Sequence, residues 1–347
     1  MQDGVADYVK QCAVSCRSDA MGGILNNILY EEKTMNLVPA TVPTMYFVGV
    51  TTKKSSIMKV FPEWAKALGI DAVMKGIDIA IHEKPEVYRE VVDFIKNDPM
   101  SMGALVTTHK IDLYDAAKDL FEVHGPLASR FGELSSISKQ GDKLAAHAKD
   151  PITSGLSLLE FVPDNYFADT DAEVFIMGAG GSAISMGYHL MQEKYKGNYP
   201  SKIVIANRSQ PRLTEIENIY KTLDPGGIEF EYYLTPEPGQ NDEVLHSMKE
   251  GSIIVNATGL GKDRPGSPLT DDAVFPKKSL VWEINYRGDL RFLHQAEEQQ
   301  EQQELLVEDG WKYFVYGWTS VISEVFHMPI EGETFKMCDE IASGFRQ

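Results

Sequence analysis

The chain is poor in cysteine and in positive charge, and it has no long apolar run. Its three cysteines, Cys12, Cys16 and Cys338, are an odd count. Only three residues separate the close pair, and no matching Cys or His pair follows. Neither a disulfide framework nor a metal site is therefore expected. No stretch reaches the roughly 18 apolar residues that a membrane-spanning helix needs. The start, MQDGVADYVKQCAVSCRSDA, has neither the cationic nor the apolar segment of a secretion signal. A cytoplasmic protein with no membrane partner is expected. Lys and Arg number 33 against 51 Asp and Glu, a formal charge of −18. Such a surface repels nucleic acid, so no nucleic-acid partner is expected, and any phosphate-bearing ligand must be gripped by a local cationic pocket.

What is present is length and alternation. With 347 residues, 43% of them hydrophobic, the chain can bury two ordinary cores. Residues 1 to 43 read as an N-terminal extension, with a mixed helical stretch in AMGGILNNILYEEKTM and an extended connector in PATVP. From Thr44 strand-like and helix-like segments alternate: TMYFVGV, SIMKVFPEWAKALG, DAVMKGIDI, EVYREVVDFIKND and MGALVT. A second alternation begins at AEVFIMGAGGSAISMGYHLMQ and continues through KIVIANR, GIEFEYYL, GSIIVNAT and SLVWEINY. The polar segment 160–171 separates the two sets. This pattern predicts mostly parallel sheets covered by helices.

The second set opens on a glycine-rich turn made of Gly178, Ala179, Gly180, Gly181, Ser182 and Ala183, placed between a strand and a helix. That is the dinucleotide fingerprint in its G-x-G-x-x-A form. The first glycine permits the tight turn, the second lets backbone N–H groups approach a pyrophosphate, and the small last residue allows close helix packing. The plainer alternative is a glycine-rich turn in an ordinary βαβ unit. An NAD site carries an acid at the end of the next strand, whereas a 2′-phosphate needs cations. Here KIVIA runs into Asn207, Arg208, Ser209 and Arg212 with no acid, so NADP is favoured over NAD.

In the first set, LVTTHKIDLYDAA places Lys110 directly after a strand end. With this lysine and the nucleotide half together, the chain resembles the shikimate/quinate dehydrogenase family. ASRFGELSSI is similar to that family's A-x-x-I-G-A-V-N-T, and GDKLAAHAKD to its G-x-L-x-G-x-N-T-D. NATGLG is similar to N-A-T-P-x-G, and NRSQPR to N-R-T-x-x-R. The strand VWEINYRGDLRFLHQA and the helix EDGWKYFVYGWTSVISEVF match two further stretches. The resemblance implies an α/β protein with an N-terminal, mostly parallel substrate domain, a C-terminal Rossmann dinucleotide-binding domain, and the active-site cleft between them. The boundaries expected are 44–160 with 310–347 for the substrate domain and 161–309 for the NADP-binding domain. It also implies that Lys110 and Asp150 flank a reacting hydroxyl, and that Asn256, Ala257, Thr258 and Gly261 join the cofactor residues. A partly desolvated Lys110, its pKa lowered and held by the carboxylate, would handle the hydroxyl proton. A routine salt bridge between two loops is the plainer reading of this pair. His109 is read as packing.

The substrate positions depart from the family more than the catalytic pair does. Counting from Gly49, Ser55 keeps the first serine of the carboxylate clamp and Ile57 replaces the second. Ala104 and Val106 stand where Asn and Thr occur, although a slip of one residue restores Thr107. Ser135 replaces an asparagine, Lys149 a threonine, Gly317 a glutamine and Lys262 a methionine, while Tyr286 is kept. Each lost polar partner would leave a group of shikimate underpaired at about 1 to 3 kcal/mol. The expectation is a secondary-alcohol oxidoreductase with an altered substrate pocket in which Lys149 is the added cation. Its partner is a small, polyhydroxylated and cyclic substrate, and a homodimer stays open. The rival readings are a true shikimate or quinate dehydrogenase and a non-catalytic NADP-binding sensor.

Overall fold

The structure is a computed structural model that describes residues 35–192, 197–262 and 264–346. The helical stretch expected near residue 20, with Cys12 and Cys16, lies outside them. The end of the expected extension is tied to the first sheet: the Ala40 N–H and the Tyr46 hydroxyl both donate to the Asp98 carboxylate, at 3.1 and 2.6 Å.

The first half contains strands β1 (Thr44–Gly49), β2 (Val73–Asp78), β3 (Ser101–Val106), β4 (Val123–His124), β5 (Ser136–Gln140) and β6 (Lys143–His147). Its helices are α1 (Ile57–Leu68), α2 (Pro85–Asn97), α3 (Lys110–Ala117), α4 (Pro126–Phe131), α5 (Asp150–Leu159) and α6 (Tyr166–Thr170). The second half has β7 (Val174–Met177), β8 (Lys202–Asn207), β9 (Glu229–Leu234), β10 (Ile253–Asn256), β11 (Leu280–Glu283) and β12 (Leu306–Glu308). Between and after these strands run α7 (Gly181–Leu190), α8 (Gln210–Lys221), α9 (Pro238–Ser247), α10 (Arg291–Gln303), α11 (Trp311–Val325) and α12 (Gly332–Ser343).

The first sheet has the order β2-β1-β3-β5-β6-β4. β1 pairs in parallel with both β2 and β3, but β3 with β5 and β5 with β6 are antiparallel. The β5 and β6 hairpin was not anticipated as strands, because SISKQGDKLAAH alternates only weakly between polar and apolar residues. The second sheet, β12-β11-β10-β7-β8-β9, is parallel throughout. β7, β10 and β11 are buried on both faces, as a sheet covered on two sides requires.

These patterns place the cleft. The order of the second sheet reverses between β7 and β10, and a crevice forms outside the carboxyl ends of strands at such a switch point. In the first sheet β1 plays the same part, with β2 and β3 on opposite sides. Helix α1 repeats apolar residues at helical spacing and buries Ile57, Val60, Phe61, Trp64 and Ala65. Helix α11, although it follows the second sheet in the chain, packs its Phe314, Val315, Trp318 and Ile322 into the same core as Met45, Phe47 and Leu105 of the first.

Candidate active site

A cleft of about 1120 Å³ lies between the carboxyl ends of the two sheets. Its nucleotide side is built from backbone. Gly178 has φ +118°, and a Cβ there would meet the Ala257 carbonyl oxygen at 2.6 Å, so the turn admits glycine only. At Gly180 a Cβ would meet nothing within 4 Å, which leaves its backbone open to a ligand. Helix α7 starts at Gly181 with no side-chain cap on its first N–H groups, an arrangement suited to an anion. These features fit a dinucleotide pyrophosphate. Gly178 to Ser182 and Ala257 with Thr258 line the cleft, as do Asn207, Arg208, Ser209 and Arg212 beyond β8. Arg208 is exposed, and Arg212 pairs with Glu215 at 2.7 Å on the surface of α8.

Three expected cofactor residues shape this wall from behind. Ala183 is fully buried, and its carbonyl accepts from the Tyr220 hydroxyl at 2.7 Å. Asn256 is also fully buried; its amide donates to Glu283 at 2.6 Å, and its oxygen accepts from Thr258 N–H at 3.0 Å. Asn256 thus fixes the loop that carries Thr258 and does not face the cleft. Gly261 is a turn residue with φ +86°, its N–H given to the Arg264 carbonyl. Burial pushes the Glu283 carboxyl up to about 7, against hydrogen bonds from Asn285 and Asn256.

The substrate side is built from side chains. Lys110 opens α3, Asp150 opens α5, and the ammonium donates to the carboxylate. An acid in the first turn of a helix is favoured by the helix dipole. The lowered lysine pKa expected from sequence is corrected here. Burial does lower it, but the charges of Asp150 and Glu133 outweigh burial and hold Lys110 above its ordinary value. Asp150 contributes most, and Glu133, a buried carboxylate in the turn after α4, adds to it. Tyr313 of α11 faces Ser182 and Asp150 as well, and burial holds its phenol well above the usual value.

Ser55, Thr107, Ser135, Tyr286 and Gly317 all line the cleft. Ser135 Oγ accepts from the Lys149 N–H at 2.7 Å. Nothing lies within 4 Å of a Cβ placed on Gly317, so the absent glutamine leaves space. Phe47, Phe314 and Trp318 add an aromatic floor. Tyr316 instead bonds to Glu160 and stacks on Phe335. Lys149 is the main correction. It does not line the cleft but points to Glu324 at 2.6 Å, which His147 also faces at 3.2 Å. Its position next to Asp150 at a helix start turns the two side chains apart. His109 is buried against Tyr88, its Nδ1 3.2 Å from the phenol oxygen, consistent with packing.

Sequence reasoning missed two cations and one acid. Arg264 and Arg287 line the cleft, and Arg287 donates to the Lys54 carbonyl at 3.2 Å, joining segments that follow β11 and β1. A positive residue directly after Tyr286 was the available signal. Glu133 stands where the family motif has alanine, an acid inside a small, apolar pattern. Among the described residues, the lining carries six cations, Lys110, Arg208, Arg212, Lys262, Arg264 and Arg287, against one carboxylate, Asp150. In a chain of net charge −18, that reversal marks a site for an anionic ligand.

Against known proteins, the chain is 27% identical over 272 residues to a shikimate dehydrogenase (NADP+) of Lactococcus lactis subsp. cremoris, an alignment covering 77% of this chain and 87% of that protein. The chain is similar to shikimate dehydrogenases over most of its length. No family model matches it. Its fold is that of the shikimate dehydrogenase of Aquifex aeolicus, with TM-score 0.66 and 19% identity over 89% of this chain and 99% of the other. A 5-ketofructose reductase of Gluconobacter sp. strain CHM43 shares the fold too, with TM-score 0.61 and 15% identity over 87% and 98% of the two chains. No helix among the described residues is long and apolar enough to cross a membrane.

Proposed function

We propose that this chain is an NADP(H)-dependent oxidoreductase that interconverts a secondary alcohol and a ketone on a polyhydroxylated, cyclic small molecule. The observation that carries the reading is the cleft itself: among the described residues it joins a glycine turn at the start of α7 and five lining cations to the Lys110 and Asp150 pair. Arg208 and Arg212 follow β8 where an acid would mark NAD, and they are the candidates to bind a 2′-phosphate. The Lactococcus relative carries NADP+ in its name, in agreement with this choice.

A bound NADP(H) would supply the hydride chemistry. The chain must supply the proton. Because Asp150 and Glu133 hold Lys110 as an ammonium, it is set to protonate the developing alkoxide when a ketone is reduced. Asp150 orients the ammonium, and in the reverse direction the pair receives the hydroxyl proton. Closure of the cleft against water is helped by Phe47, Phe314 and Trp318. Ser55, Thr107 and Ser135 are the hydroxyls placed to orient the substrate. Arg287 takes the part first assigned to Lys149, binding an anionic or hydroxyl-rich edge. With Ile57 fully buried in the core and Gly317 leaving space, shikimate and quinate should be poor substrates.

The second reading is a true shikimate or quinate dehydrogenase. It is favoured by the presence of both Ser55 and Thr107 on the cleft wall, the two hydroxyls that a shifted clamp would use. A screen of cyclitols, sugar acids, ketoses, quinate and shikimate for NADP+ reduction or NADPH oxidation decides between them. A kcat/KM for shikimate of about 10⁴ M⁻¹s⁻¹ or more supports the second reading, and turnover of another polyol with weak shikimate activity supports the first. Tight NADPH binding without turnover of any compound would leave a cofactor-binding sensor.

A further inference from the structure

Helix α7 begins beside a carboxylate that belongs to the other half of the molecule. Glu133 is 4% exposed, and its Oε2 lies 3.1 Å from the point that a Cβ on Gly181 would occupy. Gly181 is the first residue of α7, whose leading N–H groups have no side-chain cap. Among the described residues the Glu133 carboxylate has no hydrogen-bond donor. It stands behind the cleft wall, whereas Gly181 and Ser182 form part of it. The charged and titratable groups that face it are Lys110 from α3, Asp150 from α5 and Tyr313 from α11. Lys110 and Asp150 are bonded to each other and act on it in opposite senses.

We propose that Glu133 couples cofactor binding to a proton, becoming protonated when the phosphates of a dinucleotide dock at the start of α7. This rests on the NADP reading above. A helix N-terminus stabilises negative charge within its first turn only. In the free protein that field acts on the Glu133 carboxylate. A phosphate bound to the same N–H groups brings a second negative charge into a poorly solvated space, and like charges held close together cannot both stay ionised cheaply. The phosphate keeps its charge because the N–H groups of α7 bond to it directly. Glu133, which has no hydrogen-bond donor among the described residues and is only 4% exposed, is the group that accepts a proton. Burial and then the charge of Asp150 already push its carboxyl up to about 7, against the pull of Lys110. Cofactor binding raises it further. At neutral pH the protein then takes up a fraction of a proton, and affinity falls as pH rises above about 7, by no more than about tenfold per pH unit. An alanine at this position, as in the family motif, would carry no such linkage.

The test is calorimetric titration with NADPH, whose nicotinamide is uncharged, in buffers of different ionisation enthalpy from about pH 6 to 9. The unaltered protein and Glu133→Gln are compared at each pH. The titration of the 2′-phosphate is common to both and cancels in the difference. The expected result is an uptake of up to about half a proton near pH 7 in the unaltered protein that is missing in Glu133→Gln, with a flatter pH dependence of affinity in the variant. If Glu133→Gln does not fold, Glu133→Ala gives the same comparison. Equal proton uptake in both proteins overturns the role of Glu133 and leaves the NADP reading standing. Failure of the unaltered protein to bind NADPH overturns both.

Discussion

The two sides of the cleft are built by different means. On the nucleotide side one βα turn, Gly178 to Ser182, and the end of the next strand, with Asn207, Arg208, Ser209 and Arg212, supply much of the surface. On the substrate side the surface is a set of single side chains from separated places: Ser55 after β1, Thr107 after β3, Ser135 before β5, Asp150 at α5, and Tyr286 and Gly317 much later in the chain. Backbone geometry is written locally, because a turn needs glycine where a Cβ would strike a neighbouring strand. Side-chain placement depends on how distant segments meet. The first kind of surface is therefore readable from a short motif, and the second is not.

The largest expected effect falls on the side-chain half. Lys110→Met should lower kcat by about a hundred to ten thousandfold while leaving NADPH binding intact. A near-normal kcat would reduce the Lys110 and Asp150 pair to a structural ion pair. Next comes the backbone half. Gly178→Ala puts a Cβ 2.6 Å from the Ala257 carbonyl and forces a side chain into φ +118°. It should cost about 2 to 4 kcal/mol of stability and impair NADPH binding, as thermal unfolding and titration would read. A variant as stable as the parent would show that the two strand ends do not meet as described.

Each half also holds one buried carboxyl pushed up to about 7, Glu133 on one side and Glu283 on the other. A carboxyl whose pKa is higher in the folded chain than in the unfolded one favours folding below the unfolded value, 4.5. Its contribution is lost as pH rises through the folded value. Glu133→Gln and Glu283→Gln should each lessen the fall in melting temperature between about pH 4.5 and 7. An unchanged slope in both would place the linked ionisations elsewhere. The smallest effect on activity is expected from Lys149→Ala. Bonded to Glu324 and absent from the cleft wall, Lys149 should change the KM of the substrate found in the screen by less than about twofold, at about 1 kcal/mol of stability. A large rise in KM would return Lys149 to the pocket.

The legibility of the sequence follows the same division. The strands β1, β7, β8, β10 and β11 announce themselves by apolar runs, β2 and β9 by apolar residues alternating with polar ones, and the glycine turn of α7 by its spacing. The β5 and β6 hairpin does not, since Ser136, Ser138, Ala145 and Ala146 give no strong apolar alternation although all are fully buried. Lys110 and Asp150 were found through their flanking motifs, and the structure brings them into contact across 40 residues. Lys149 was misplaced because adjacent residues at a helix start point in different directions, a fact that spacing alone does not record. Glu133 and Arg287 went unnoticed because a charged residue in a loop is ordinarily solvated, and only the packing of distant segments brings Arg287 to the cleft and Glu133 behind its wall, against the start of α7.

The central claim is that the cationic cleft grips NADP(H) through its 2′-phosphate, and equilibrium titration of NADPH and NADH into the unaltered chain and into Arg208→Ala tests it most directly. NADPH should bind at least about tenfold more tightly than NADH, and Arg208→Ala should weaken NADPH by about ten to a hundredfold while changing NADH little. Equal affinity for the two nucleotides, or equal losses for both in the variant, would contradict it.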